Sequence, residues 1–166
     1  MAPEPLQIDA PLTYGAQVDA RAQHAEIADK VFLMHDDRAW TYRQYRDESV
    51  RMAHFLAGRL GVIDDGRPGH VAMVLENHLE LLSMLGGCGF AGLTLFGVNT
   101  GLRGEVFSGV VNQSRARLIV VDEKLREEVE RAGGAFEHIA KENVLYLPTQ
   151  GGAIPDDQNL LECMKR

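Results

Sequence analysis

The run Arg117–Val121, "RLIVV", restricts the fold of this chain more than any other stretch. Four consecutive apolar residues leave no polar face, so a strand built from them must be covered on both sides. Such strands belong inside parallel sheets, whose crossover helices lie on both faces. Matching pieces flank the run: Val71–Leu75 and Leu93–Phe96 before it, Asn143–Leu147 after it. Helical patterns of about ten residues separate them. The expected fold class is therefore α/β: a doubly wound, mostly parallel sheet flanked by helices.

Ahead of that sheet, residues 1–12 carry three prolines and read as an irregular leader. Apolar spacing through Val18, Ala22, Ala25 and Ile27 predicts an amphipathic helix from Thr13 to Ala28. Val31–Met34 and Ala39–Tyr42, separated by Asp36-Asp37, predict a small hairpin. Thr41 stands three residues before Gln44, the spacing of a capping box. The helix behind it should bury Tyr45, Val50, Ala53, Leu56 and Leu60, with Gly61 ending it. After the polar turn "DDGRPG" and the strand at Val71, Asn77 and Glu80 make a second capping-box pair. The helix they open carries Leu79, Leu81, Leu82 and Leu85 over most of its surface and should be buried. Further helices are expected at Gly104–Gln113 and Glu123–Ala132.

Gly87, Gly89 and Gly92 spell G-x-G-x-x-G, the spacing of a dinucleotide-binding turn. That turn needs a strand before the glycines and a helix after them, so that the helix N-terminus faces the phosphates. Here a helix precedes and a strand follows. Gly86, Gly87 and Gly89 are better read as a thin helix face on which another backbone packs, and Gly92 as the C-terminal cap.

At 166 residues and a net charge of −7, the chain suits one globular domain and lacks the basic excess of a nucleic-acid or anionic-membrane binder. It has no apolar run long enough to span a membrane and no secretory pattern at its start. Two cysteines, Cys88 and Cys163, fit a reducing cytoplasm. His35, Asp36 and Asp37 stand together, but turns favour Asp for local bonding, and no metal-ligand spacing accompanies them. No metal site is expected. Cys88, on a buried helix, reads as an inert small hydrophobe. "DEKLREEVER" reads as a solvated helix face with opposite charges at helical spacing. Nothing in the spacing supports a catalytic residue.

Taken in order, three segments resemble the N-terminal part of the adenylate-forming (AMP-binding) acyl-CoA synthetase superfamily. They are "RAWTYRQYRDESVRMAHFLAGRLGV", "GRPGHVAMVLENHLELLSMLGGCGFAGLTLFGVNT" and "NQSRARLIVVDEKL". "NTGLRGEVF", Asn99–Phe107, is most similar to the fatty-acid transport protein and very-long-chain acyl-CoA synthetase branch. Where other branches place proline before this Asn or Asp, the chain has Phe96-Gly97-Val98.

The resemblance implies an N-terminal subdomain over residues 13–148, with residues 149–166 as a truncated continuation. It also implies an ATP-dependent fatty-acid–CoA ligase that uses ATP, Mg and CoA at full length. The Ser/Thr/Gly-rich loop that holds ATP lies beyond the matched segments, so this chain alone is expected to be inactive and to bind none of these cofactors. Its implied partners are the remainder of the ligase, then fatty acid and CoA, with self-association through an exposed docking face. The implied location is cytoplasmic, peripheral to membrane in the full enzyme. By the same resemblance, Gly97, Asn99, Arg103, Lys124 and Arg126 stand where CoA contacts fall. The residues themselves leave an alternative: Arg103 as a helix-start surface residue, Lys124 and Arg126 as partners of Glu127 and Glu128. Two other functions stay open at this point, a self-contained nucleotide-binding domain and a ligase-derived interaction module.

Overall fold

The computed structural model describes residues 13–61 and 69–165. The leader expected over residues 1–12 and most of the polar turn, residues 62–68, lie outside them. The Thr13 hydroxyl accepts the Ala16 amide and starts α1 (Tyr14–Gln23), which buries Val18 and Ala22. The helix stops five residues short of the expected Ala28. Beyond it, the carbonyls of Ala28 and Lys30 accept the amides of Arg43 and Tyr42, which leaves Ala25 exposed and Ile27 half-buried. Tertiary bonding outweighs the helical spacing here.

Strands β1 (Val31–His35) and β2 (Arg38–Thr41) form the hairpin, with His35 opposite Arg38 and Asp36 at φ 52° in the turn. α2 (Tyr42–Leu60) opens on the full capping box: Thr41 accepts the Gln44 amide, and Gln44 accepts the Thr41 amide. Gly61, at φ 66°, closes it. Its inward face is Tyr45, Ser49, Met52, Ala53, Leu56 and Leu60. Val50, expected in the core, is only half-buried because the stripe runs through Ser49 and Met52 instead.

The remaining elements are β3 (His70–Val74), α3 (Leu79–Ala91), β4 (Thr94–Gly97), α4 (Gly104–Ser114) and β5 (Leu118–Asp122). A 3-10 turn (Glu123–Leu125) then leads into α5 (Arg126–Ala132), followed by β6 (Val144–Leu147) and α6 (Leu160–Cys163). The four-stranded sheet has the order β4-β3-β5-β6, every pair parallel. The chain goes outward from β3 to β4, returns past β3 to β5, and continues to β6. Parallel crossovers are right-handed, so this reversal of direction sends α3 to one face and α4 and α5 to the other. β5 is buried at all five positions, as its sequence requires. Leu118 and Val120 pack with α2, α3 and α6, while Ile119 and Val121 pack with α4 and α5.

α3 departs from its expected burial. Leu79 is buried, Leu81 and Leu82 only partly, and Leu85 is exposed. The face turned inward is Ser83, Met84, Gly86, Gly87 and Cys88. A Cβ on Gly87 would lie 2.5 Å from Met52 Cγ, one on Gly86 would collide with Ser49, and one on Gly89 would come within 3.0 Å of Tyr14. Gly92, at φ 67°, is the left-handed cap and donates to the Cys88 carbonyl. The glycines are the narrow surface on which α1 and α2 rest, and they join helix to strand. A phosphate turn is not built there.

Candidate functional site

Open sheets of this kind bind ligands outside the carboxyl ends of the strands, where successive connections diverge. In this chain that point lies between β3 and β5. Glu76, Asn77 and His78 follow β3 there, and Asp122, Glu123 and Lys124 close β5. The sequence suggests Asn77 as the cap of α3, but His78 occupies that position and makes no capping bond. Its ring is drawn across the crevice: Nε2 lies 3.1 Å from Asp122 Oδ2. Glu80, the expected box partner, instead holds the Arg38 guanidinium at 2.7 Å.

Asp122 is 1% exposed. Its carboxylate accepts the Thr149 hydroxyl at 2.6 Å and the Lys124 amide at 3.2 Å. Burial alone would raise its pKa, but the bonds from Thr149, the Lys124 amide and His78, with the Lys124 charge, outweigh it and hold the carboxyl below its ordinary range. An ionised carboxylate only accepts, so His78 Nε2 carries the proton between them. Glu123 reaches the loop after β6, where the amides of Gln150 and Thr149 donate at 2.8 and 2.9 Å. Those bonds, with the Gly152 amide, hold Glu123 low as well. The Lys124 ammonium pairs with Glu76. The ends of β3 and β5 and the loop after β6 are thus tied into one polar edge.

The five residues singled out in the sequence are spread along this end of the molecule. Gly97 is exposed at the end of β4, with open space beside its Cα. Asn99 turns its carbonyl oxygen onto the Gly101 amide at 2.7 Å. Arg103, before α4, donates to the Thr100 and Leu102 carbonyls, both at 2.7 Å, and lines an open groove of about 720 Å³ with Glu105, Ser108 and Glu128. Lys124 stands at the divergence point. Arg126 bonds Glu130 at 2.7 Å and the Ala153 carbonyl at 2.9 Å, and lies over the Tyr146 ring beside a second groove of about 560 Å³. The ion-pair partners are Glu76 and Glu130 rather than Glu127 and Glu128. Nor is the run "DEKLREEVER" a fully solvated helix face. Glu123 and Glu128 are buried, and Glu128 accepts the Gly104 amide at 2.7 Å.

Sequence reasoning missed His78, Asp122, Glu123 and Thr149. The signal available was "VVDE", two acids placed directly after a fully apolar strand. Cys88 is a core side chain whose thiol burial pushes up to about 12, which leaves it protonated and inert.

The AMP-binding enzyme family model matches residues 19–160, most of the chain. The chain belongs to the AMP-binding enzyme family. No match is found among curated proteins. Among solved structures, an anthranilate CoA ligase, AuaEII, determined with anthranoyl-AMP, is 25% identical with a TM-score of 0.68. That match covers 79% of this chain and 25% of the ligase. A benzoate CoA ligase from Burkholderia xenovorans is 18% identical, with a TM-score of 0.72 over 93% of this chain and 28% of its own. A long-chain-fatty-acid-CoA ligase from Archaeoglobus fulgidus is 15% identical, with a TM-score of 0.72 over 97% of this chain and 31% of its own. The chain therefore spans about a quarter to a third of the AMP-binding structures it matches. The parallel sheet and its flanking helices are those of the N-terminal subdomain of adenylate-forming enzymes. Among the described residues, no helix is long and apolar enough to cross a membrane.

Proposed function

We propose that the chain forms the N-terminal portion of an ATP-dependent fatty-acid–CoA ligase, of the fatty-acid transport and very-long-chain acyl-CoA synthetase branch. The observation that carries this is the family match over residues 19–160, on a sheet whose carboxyl edge gathers Gly97, Asn99 and Lys124. The branch assignment is supported by "NTGLRGEVF" following Phe96-Gly97-Val98. In such a ligase, ATP and Mg activate the acid as its adenylate, and CoA takes the acyl group as a thioester.

The glycines of α3 do not suit the ATP phosphates, because Met52 packs against Gly87 and Tyr14 against Gly89. The carboxyl edge suits the CoA nucleotide better. Lys124 and Arg103 are cations on or beside the carboxyl edge, and Gly97 leaves room for a ligand to approach the backbone. Asn99 and Arg126 complete the proposed contacts, Arg126 by exchanging its bond to Glu130 for a phosphate. The chain's own work is to hold these groups in place, and adenylate formation needs the remainder of the ligase. That remainder is the main partner, covering apolar side chains such as Val106 and Met34, and the assembled enzyme is cytoplasmic and peripheral to membranes.

The test is pyrophosphate release with ATP, Mg and a panel of palmitate, benzoate and anthranilate, on this chain and on the full-length ligase. Release by the full-length enzyme with palmitate alone, and none by the chain, is expected. A preference for the aryl acids overturns the fatty-acid branch, and release by the isolated chain overturns its role as scaffold.

A further inference from the structure

The groove of about 560 Å³ between α5 and β6 has the size of a small-molecule site, and its lining is divided by chemistry. Val129 and Val144 are buried beneath it, and Ile139 is half-buried against the same apolar cluster. Gly133 and Gly134, with open space beside them, bring no side chain into it. Arg126 and Glu130 also line it but are bonded to each other at 2.7 Å, so their charges cancel. Lys141 is exposed, and among the described residues no carboxylate pairs with it. The lining therefore carries a surplus positive charge. A second polar group is also unmatched. Tyr146 is 2% exposed, and among the described residues nothing hydrogen-bonds its hydroxyl. That hydroxyl is not sealed in the core, since among the described residues Ser49 Oγ alone is a fully buried side-chain polar atom without a partner. It opens on the groove that the residue lines. Burial, with the Glu130 charge, holds its pKa above the ordinary value, so it remains a donor at neutral pH.

We propose that this groove binds an aliphatic monocarboxylate, its head group taken by Lys141 and the Tyr146 hydroxyl and its chain by Val129, Ile139 and Val144. Charge sets the head group. The free ammonium balances a single carboxylate, and the phenol adds a charge-assisted hydrogen bond. A phosphate dianion would leave charge unmatched beside Glu130. The body is aliphatic because Arg126 already lies over the Tyr146 ring, 5.7 Å from its centroid, and among the described residues no other aromatic side chain lines the groove. An aryl acid finds little to stack on there. The inference stands on the groove and not on the ligase reading, and its test needs neither ATP nor CoA.

The experiment is a methyl-NMR titration of the full chain with octanoate, set against octanol and benzoate. Octanoate should give saturable shifts at Val129, Ile139 and Val144, and octanol and benzoate should bind about tenfold more weakly. Lys141→Glu, on the exposed surface, should weaken octanoate binding about fivefold, while Lys30→Glu, the same change of charge before β1, should leave it unchanged. Tyr146→Phe, which removes only the hydroxyl, should weaken it about tenfold. Equal affinity for octanol would reduce the groove to an apolar surface and overturn the site. So would tighter binding of benzoate, first shifts at Val106 or Val110, or no saturable shift at all. Octanoate affinity indifferent to Lys141→Glu or to Tyr146→Phe, or an equal loss in Lys30→Glu, would overturn it as well.

Discussion

Two glycines on neighbouring helices make opposite predictions from the same substitution. Gly58 on α2 has open space beside it, whereas a Cβ on Gly87 would press on Met52. Gly58→Ala should stabilise by up to about 1 kcal/mol through helix propensity. Gly87→Ala should cost about 1–3 kcal/mol through overpacking. Paired urea titrations measure both, and a stabilised Gly87→Ala would mean that α2 and α3 can part freely. Asp122 and Glu123 give a second residue-level prediction. Their folded pKa values lie below the ordinary 3.8 and 4.5, so their stabilisation is complete above those values and is lost as pH falls through the lower folded ones. The denaturation midpoint should be level from pH 7 to about 5 and fall below about pH 4. Asp122→Asn should be less stable at pH 7 with a shallower acid decline. The glycine surface was legible because order along the chain excluded a phosphate turn. The pairing of Asp122 with His78 was not, since no spacing rule links residues that meet only when two parallel strands register.

Strand interiors, the Thr41 box and the closing glycines Gly61 and Gly92 were the best-read features of the elements. Thr41 and Gln44 form both bonds of the box, and Thr41→Ala should cost about 0.5–2 kcal/mol, read as a shift in thermal midpoint. Boundaries read poorly where an element end serves another element. α1 stops at Gln23 because the chain beyond it supplies carbonyls to the first free amides of α2. The cap of α3 moved from Asn77 to His78 because the imidazole is engaged by a carboxylate on β5. α6 escaped notice altogether: four residues carry no periodic signal, and Asn159 holds its start by accepting the amides of Leu161 and Glu162. The polar edge shares this origin, since Thr149 and Gln150 sit in a loop whose only cue is composition.

For the whole molecule, the alternation of strands and helices was enough to give the sheet and its two covered faces. What it could not supply was the outer surface. Val106 and Val110 stand one turn apart on α4, both exposed, and Met34 is 77% exposed on the hairpin. If these surfaces meet the rest of a ligase, the isolated chain should self-associate. Light scattering should show mass rising with concentration, and Val106→Lys with Val110→Glu should reduce it. A compact monomer at every concentration would count against that role. The strand order also has a kinetic consequence. Val71 pairs with Leu118 and Ile119 with Val144, so every ladder of the main sheet waits for a crossover to close. Among the described residues, only the hairpin joins neighbours in sequence, His35 to Arg38, and it can form within about microseconds. The parallel sheet, made of non-local pairings, forms more slowly than the hairpin. During that interval β5 waits with both apolar faces and both edges bare, which makes Leu118–Val121 the segment a nascent chain most needs to shield.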